Sequence, residues 1–418
     1  MEVLVERGAG LDVHKKSVTV CVMTTDGRSV VKTIKRFSTF HRDLVALRDW
    51  LLEQRVTHVA MEATGEYWKP VYEILEEHFQ VLVANAQHVK NVPGRKTDPE
   101  DAAWLARLLR HGLLQSSFVP CEQIRDLRDH TRMRRKTVEM TSRVENRAQK
   151  VLEASGVKIG SVVSDVFGAT GRAILAQLAE HKTDPKKLAA LAKGSLKSKR
   201  AEIELSLEGT FSVHDAQLLA HQLEMHRELE TRREAIEKEI ETMIVPYEHL
   251  IKRLDQIPGI NQVAAIEILG EIGPDMSPWK HHRFFAAWSG LCPGNHESAG
   301  KRKKVSVRKG NPFLKAILVQ CATAAVRQDG SYFQAKFHRL LRRRGYKRAV
   351  VAIAHSMIIA IYHMIRDDRD YYELGAAHLD KRTNESKALA LAKQIEKLGF
   401  QVNLKLSAPA ELSVPAAG

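Results

Sequence analysis

The chain has 418 residues, 44% hydrophobic, 28% charged and only 6% aromatic, with 65 Lys+Arg against 50 Asp+Glu for a net charge of +15. That length exceeds one hydrophobic core and predicts two or three domains, while the ordinary apolar fraction excludes a wholly disordered chain. Four cysteines, Cys21, Cys121, Cys292 and Cys321, lie far apart without a CxxC pair, which excludes a zinc ribbon and a disulfide scaffold and makes a reducing cytoplasm the expected compartment.

The first residues, MEVLVERGAGLDVHKK, carry acid early and no long apolar run, so they do not read as a signal peptide. Strand patterns follow at 8–15, 17–24 and 29–36, the last two joined by a Thr-Asp-Gly-Arg turn at 25–28. Helix and strand periods then alternate: a helix at 39–54, an apolar strand ending in Met61-Glu62, a helix near 66–78 and a strand at 79–84. After a basic loop, NVPGRKT, a helix opens at Asp98-Pro99 and runs to about residue 111. Three antiparallel strands followed by alternating helices and parallel strands give the order of a ribonuclease H or RuvC-like nuclease core.

From about 121 to 155 the text is helical and charged, with partial heptad spacing through Ile124, Leu127, Val138, Ala148 and Leu152. A second such stretch, 214–245, has Leu219, Leu223, Leu229, Ile236, Ile240 and Met243. Several core slots of the repeat hold Arg, Thr or Glu, so the expectation is a long helical hairpin or an imperfect coiled coil used for assembly or spacing. The Ala- and Lys-rich residues 160–208 between them carry no readable role. A third unit begins near Ile251, where Ile257-Pro258-Gly259-Ile260 before a helix has the form of a helix-hairpin-helix element, whose loop amides take a phosphate. A helix-turn-helix packing joint is the alternative for the same residues. The longest apolar run, 349–365, has 17 residues and contains His355 and His363; a membrane span needs about 20, so a buried core helix is expected. An amphipathic helix at 385–398 precedes a last segment, SAPAELSVPAAG, expected to be disordered.

Charge is unevenly placed. Residues 1–100 hold 14 basic and 14 acidic side chains, whereas residues 301–348 hold 15 Lys/Arg against the single Asp329. Such a block suits a polyanion, and its bland alternative is a solvated face. The residues picked out for nucleic-acid contact are Lys301, Arg302, Lys303, Lys304, Arg308 and Lys309, with Arg95 and Lys96 in the earlier basic loop. Lys90, Tyr67 and Trp68 could help to hold and stack a strand, although a core-facing Trp68 is as good a reading.

Four acids stand where a metal site of a RuvC-like fold needs them: Asp12 on the first strand, Glu62 at the end of a parallel strand, and Asp98 and Asp101 at the start of a helix. Adjacent strands are about 4.8 Å apart, and helix positions i and i+3 share a face, so the four can converge. Gathered carboxylates repel unless cations neutralise them, and hard oxygen donors select Mg2+ or Mn2+. Two such ions about 3.5 to 4 Å apart stabilise the attacking and leaving oxygens of a phosphodiester displacement. Asp98 before Pro99 is also what a helix N-cap looks like. His14 reads as a structural or surface residue. Ser298, in a cationic loop beside Ala299-Gly300, is a weaker nucleophile candidate, because a loop serine is usually turn chemistry.

The strings GLDVHK, MEATGEYWKP, NAQHVKNVPGRKTDPEDAAWLARLLRHGLL, IPGI, AAWSGLCPGNHESAGKR and RKGNPFLK closely resemble the DEDD transposases of the insertion-sequence 110 family, the bridge-RNA-guided recombinases. The resemblance covers roughly residues 8–375 in order. It implies a RuvC-like catalytic domain at 1–118, a helical coiled-coil region at 119–250, a mostly α-helical transposase domain with the catalytic serine at 251–375, and a tail at 376–418. Asp12, Glu62, Asp98 and Asp101 match the acidic positions, and Ser298 matches the serine, with Glu297 before it where other members carry Ser-Ser-Gly. The resemblance further implies a Mg2+-dependent acidic site, a serine-linked DNA intermediate, donor and target DNA, a non-coding bridge RNA, and a dimer assembling to a tetramer. Acids of one protomer would serve the serine of another. The implied place of action is the bacterial cytoplasm at the nucleoid, with no membrane. Competing expectations are a RuvC-like nuclease or junction resolvase that uses water, and an architectural nucleic-acid-binding protein whose acids are structural.

Overall fold

The computed structural model describes residues 3–26, 29–63, 65–84, 101–294, 297–298, 301–302, 307, 310–379 and 384–404. The chain divides into two compact units, Met1–Pro120 and Cys121–Gly418.

The first unit is a mixed α/β sheet domain. Its strands are β1 (Gly8–Val13), β2 (Ser17–Asp26), β3 (Ser29–Ser38), β4 (His58–Glu62) and β5 (Gln80–Ala84), and its helices α1 (His41–Glu53), α2 (Trp68–Leu75) and α3 (Asp101–Arg110). The sheet order is β3-β2-β1-β4-β5, with β1–β2 and β2–β3 antiparallel and β1–β4 and β4–β5 parallel. Alternation sorts the side chains of β1 between two faces. Ala9, Leu11 and Val13 join Leu44, Leu47 and Leu51 of α1 and Val71 and Leu75 of α2 in one core. On the opposite face Cys21 and Met23 of β2 pack against Ala102, Ala103 and Ala106 of α3.

Small residues let α3 lie close to the sheet. A Cβ on Gly10 would fall 2.1 Å from the Ala102 carbonyl oxygen and 2.3 Å from the Ala106 amide nitrogen, while one on Gly8 would meet Leu109 at 3.2 Å. The obstacles at Gly10 are backbone atoms, so the helix itself would have to move. Gly10→Ala is therefore expected to lower unfolding free energy by about 1–3 kcal/mol, the usual cost of overpacking. A urea titration of the variant checks this, and an unchanged midpoint would refute the close-approach argument.

The second unit is mostly helical. Two long helices, α4 (Glu122–Ala154) and α8 (Val213–Met243), run antiparallel, as their cross-links require: Arg134 Nε donates to Glu237 at 2.8 Å near one end and His226 Nε2 lies 3.1 Å from Glu145 further along. Thr131, Thr137 and Thr141 of α4 are buried where a heptad would place apolar residues. The hydroxyls of Thr137 and Thr141 donate to backbone carbonyls four residues back, each at 3.0 Å, which satisfies them without a partner helix and explains why the repeat reads as imperfect. The intervening region, unread in the sequence, holds α5 (Ala169–Ala179), α6 (Pro185–Ala189) and α7 (Arg200–Ser206). It forms a cap with its own core, Val157, Ile159, Phe167, Ile174, Leu178 and Ile203 closing onto Ala148 and Leu152 of α4 and Leu219 of α8.

The remainder comprises α9 (Glu248–Asp255), α10 (Gln262–Ile272), α11 (His282–Trp288), the short strands β6 (Glu297–Ser298) and β7 (Lys301–Arg302), α12 (Pro312–Ala325), α13 (Tyr332–Arg344), α14 (Tyr346–Arg366) and α15 (Asn384–Glu396). Among the described helices α14 is long and apolar enough to cross a membrane. Its Ile353, Met357, Ile358 and Ile361 are fully buried, and it packs on α11, α12 and α13. Residues 405–418 lie outside the described set, as does the disorder expected there.

Candidate active site

In the first unit the parallel register pairs Leu11 of β1 with Met61 of β4. One residue further along both strands, Asp12 and Glu62 are level with each other. Leu11 and Met61 both point into the α1/α2 core, so alternation turns Asp12 and Glu62 to the face that carries α3. That helix runs from Ala102 beside Gly10 to Leu109 beside Gly8, antiparallel to β1. Its first residue, Asp101, consequently lies at the Asp12 end. Three of the four acids named from the sequence thus share one face and one end of the sheet.

The Asp12 side chain is 27% exposed and accepts a 3.0 Å contact from His14 Nε2, which makes His14 a neighbour of the site and not only a surface residue. Among the described residues, no three His, Cys, Asp or Glu groups are close enough to hold a metal by themselves. Asp98, Lys90, Arg95 and Lys96 lie outside the described residues. Hard carboxylate oxygens on one sheet face still fit a divalent cation by donor chemistry. Trp68 packs against the α1/α2 core and makes an edge contact with Tyr72 at 5.7 Å, the core-facing role of the two foreseen, while Tyr67 is 44% exposed.

In the second unit Ser298 stands on a two-strand hairpin in which Glu297 pairs with Arg302 and Ser298 with Lys301. Pro293 and Val307 form a further antiparallel bridge below it. The backbone of Ser298 is therefore held next to that of a lysine within the cationic run. Lys303, Lys304, Arg308 and Lys309 lie outside the described residues, as do Ala299 and Gly300.

The returning end of this loop is clamped by residues of the AAWSGLCPG and RKGNPFLK strings together with Glu271, Arg128 and Arg132, to which the sequence assigned no role. A Cβ on Gly310 would meet Gly290 N at 2.3 Å and Trp288 O at 2.4 Å, so only glycine lets the two ends of the loop touch. Asn311 caps α12 by accepting from the amides of Phe313 and Leu314, with Pro312 in the first turn. Its own Nδ2 donates to Glu271 Oε2 at 2.6 Å. Glu271, 1% exposed at the end of α10, also takes Arg132 Nε and Nη2 at 2.7 and 2.9 Å. Arg128 donates to the backbone oxygens of Gly270 and Glu271, and the Arg132 guanidinium stacks 4.1 Å over Phe313. Burial lowers Arg128 to about 10, against the raising influence of Glu271, and burial likewise raises Glu267 one turn earlier. The loop base is thus tied to the long helix α4 through a buried ionic node. A charged residue inside the apolar string AAIEILGEIG was the available signal for it.

The Ile257–Ile260 turn also has a structural occupant on one side. Gly259 has φ +84°, and a Cβ there would lie 2.3 Å from the Cys321 carbonyl oxygen of α12, as the packing-joint reading requires. His281 caps α11 by accepting from the Arg283 amide at 3.2 Å.

Comparison with known proteins gives two family matches. A model of the DEDD type of insertion sequence 110, described as transposase, matches residues 9–156, and one described as transposase of the IS116/IS110/IS902 family matches residues 251–338. A Sinorhizobium fredii protein described as transposase y4pF/y4sB is 34% identical over 125 residues, 29% of this chain and 32% of that protein. A Pseudomonas aeruginosa protein described as a probable family 20 transposase is 24% identical over 334 residues, 78% of this chain and 88% of its own length. Another Sinorhizobium fredii protein, described as transposase y4qE, is 25% identical over 277 residues, 65% of this chain and 58% of the relative. The chain thus spans about a third of the first of these relatives and somewhat under two thirds of the third.

Proposed function

Because this chain belongs to the IS110 family of transposases, we propose that it cuts and rejoins DNA strands through a serine-linked intermediate at a RuvC-like acidic site. The observation that carries the reading is the placement of Asp12, Glu62 and Asp101 at one end of one sheet face. Asp98 completes the donor set. When bound, Mg2+ or Mn2+ would neutralise these carboxylates and stabilise charge on the phosphate oxygens.

The protein's own part is positioning and nucleophilic attack. Lys301, Arg302, Lys303, Lys304, Arg308 and Lys309, with Arg95 and Lys96, hold phosphates of the reacting strand. The Ser298 oxygen bonds to phosphorus as the bond from phosphorus to the 3′ oxygen breaks. The serine proton ends on the departing 3′ oxygen, leaving a free 3′-hydroxyl and a 5′ phosphate esterified to the protein. Attack by a 3′-hydroxyl of another strand reverses the exchange and returns the proton to Ser298. A bridge RNA would supply the base pairing that chooses donor and target, and acids and serine would meet between protomers of a dimer that pairs into a tetramer. The coiled-coil role of α4 and α8 and a phosphate contact by the Ile257–Ile260 turn belong to the same proposal.

The test mixes the protein, Mg2+, RNA transcribed from its element's flank and DNA carrying the element junction, and looks for SDS-resistant protein–DNA adducts. Wild type is expected to give an RNA-dependent adduct that Ser298→Ala abolishes. Cleavage without adduct and indifferent to Ser298→Ala would mean a water-using nuclease and end the serine reading.

A further inference from the structure

Residues 330–366 contain eight Lys/Arg and no Asp or Glu, and most of these cations gather at one corner. Helix α13 ends at Arg344 and α14 begins at Tyr346, so a single residue, Gly345, joins them at φ +76°. The inside of the corner is packed: Phe333 and Phe337 are buried, the Tyr346 ring meets Phe337 edge-on at 5.6 Å, and Ala349 and Val350 are buried below. Its outside is exposed among the described residues. Arg339, Arg342, Arg343, Arg344, Lys347 and Arg348 are all exposed, and nothing lies within 4 Å of where a Gly345 Cβ would be. Among the described residues none of the six forms an ion pair with an acid, and Arg339 reaches only the Leu379 carbonyl at 3.5 Å.

Folding accounts for half of this arrangement. Arg342, Arg343 and Arg344 sit at the negative end of the α13 dipole, where cations are favourable. Lys347 and Arg348 sit in the first turn of α14, at the positive end of its dipole, with no acid in that turn and no side-chain cap on the helix. Each is unfavourable there, and the neighbouring arginines add repulsion. A local rule broken with no compensating acid among the described residues points to a ligand outside the fold. The ligand must be a dense run of anions. The Tyr346 ring is 52% exposed but is held edge-on against Phe337 at 5.6 Å, so the corner offers one partly engaged ring beside six cations, and charge outweighs stacking in what it can bind.

We propose that the α13–Gly345–α14 corner is a sequence-independent clamp on the phosphodiester backbone of duplex DNA, separate from the loop that carries Ser298. Duplex DNA carries one charge per about 1.7 Å of axis, enough to engage several of these side chains together. The inference rests on the transposase reading only for the choice of DNA as partner.

The experiment measures binding of the full-length protein to a non-cognate DNA duplex by anisotropy across a salt series. Arg343→Gln/Lys347→Gln/Arg348→Gln should reduce the magnitude of the log–log salt slope by about 0.9 per charge and weaken binding at low salt by about tenfold or more. Arg343→Glu alone, a single exposed change, should move both in the same direction. An equal-charge control in the hairpin cap, Lys186→Gln/Lys197→Gln/Lys199→Gln, should change neither by more than a small fraction of that. Equal effects of corner and control would reduce the clamp to net charge and overturn it, as would a corner effect seen with an RNA duplex and absent with DNA. Because the readout is binding alone, loss of the serine adduct in the earlier test leaves this result standing, and the reverse holds too.

Discussion

If the proposed acidic site holds a metal, Asp12→Asn is expected to slow DNA strand cleavage by at least about a hundredfold while leaving duplex affinity within about twofold, because it would remove one ligand charge and keep the side-chain volume. The position justifies the size of the effect. Asp12 shares its level with Glu62 through the β1–β4 register and its face with the start of α3, and its carboxylate is partly exposed and not spent on the core. His14→Ala removes only the 3.0 Å contact to Asp12 and should cost far less. Single-turnover cleavage in Mg2+ and in Mn2+, beside anisotropy for binding, separates the two quantities. An Asp12→Asn rate within tenfold of wild type would leave these acids with a structural role.

The second large effect is on stability. Glu271→Ala removes the acceptor for Arg132 and Asn311 and leaves the mostly covered Arg128 and Arg132 side chains beside each other without the carboxylate they share. Removing one partner of a buried ion pair costs about 3–5 kcal/mol, since the remaining charge keeps its desolvation penalty. Equilibrium denaturation should show this loss. Limited proteolysis should find the 295–310 loop cleaved faster, because Asn311 loses the bond that fixes the loop's return to α12. Glu271→Gln keeps one oxygen acceptor and should fall between. A loss under about 1 kcal/mol for Glu271→Ala would mean that the arginines find other partners and that the node does not hold the loop.

Much of the first unit was legible residue by residue. Alternating apolar runs and the turn at 25–28 foretold β1, β2 and β3, and the change to helical period foretold α1 and α2, with ends shifted by a few residues. Asp12, Glu62 and Asp101 were named from element order, which carries strand ends and a helix start toward the same edge, while among the described residues no three such side chains are close enough to hold a metal by themselves. Other parts were not. The cap formed by α5, α6 and α7 has short helices whose faces make sense only once α4 and α8 close over them. Trp68 could be stacker or core residue until its neighbours were known. The Gly310–Asn311 clamp joins residues to Trp288, Gly290 and Glu271, contacts that no local spacing encodes.

By itself the sequence determined the repertoire: the strands and helices, a neutral domain carrying acids, a basic domain carrying a serine, and a family resemblance borne by ordered motifs. These are local properties, set by side-chain periodicity, turn chemistry and charge, and each is fixed within a few residues of chain. Only the tertiary structure decided which of them meet. It laid α3 on Gly10 so that Asp101 comes to the Asp12 end, buried Glu271 among arginines from a helix some 140 positions away, and, among the described residues, paired none of the Gly345-corner cations with an acid. Such choices depend on which surfaces exclude water together, a property of the whole packed unit that no segment carries alone.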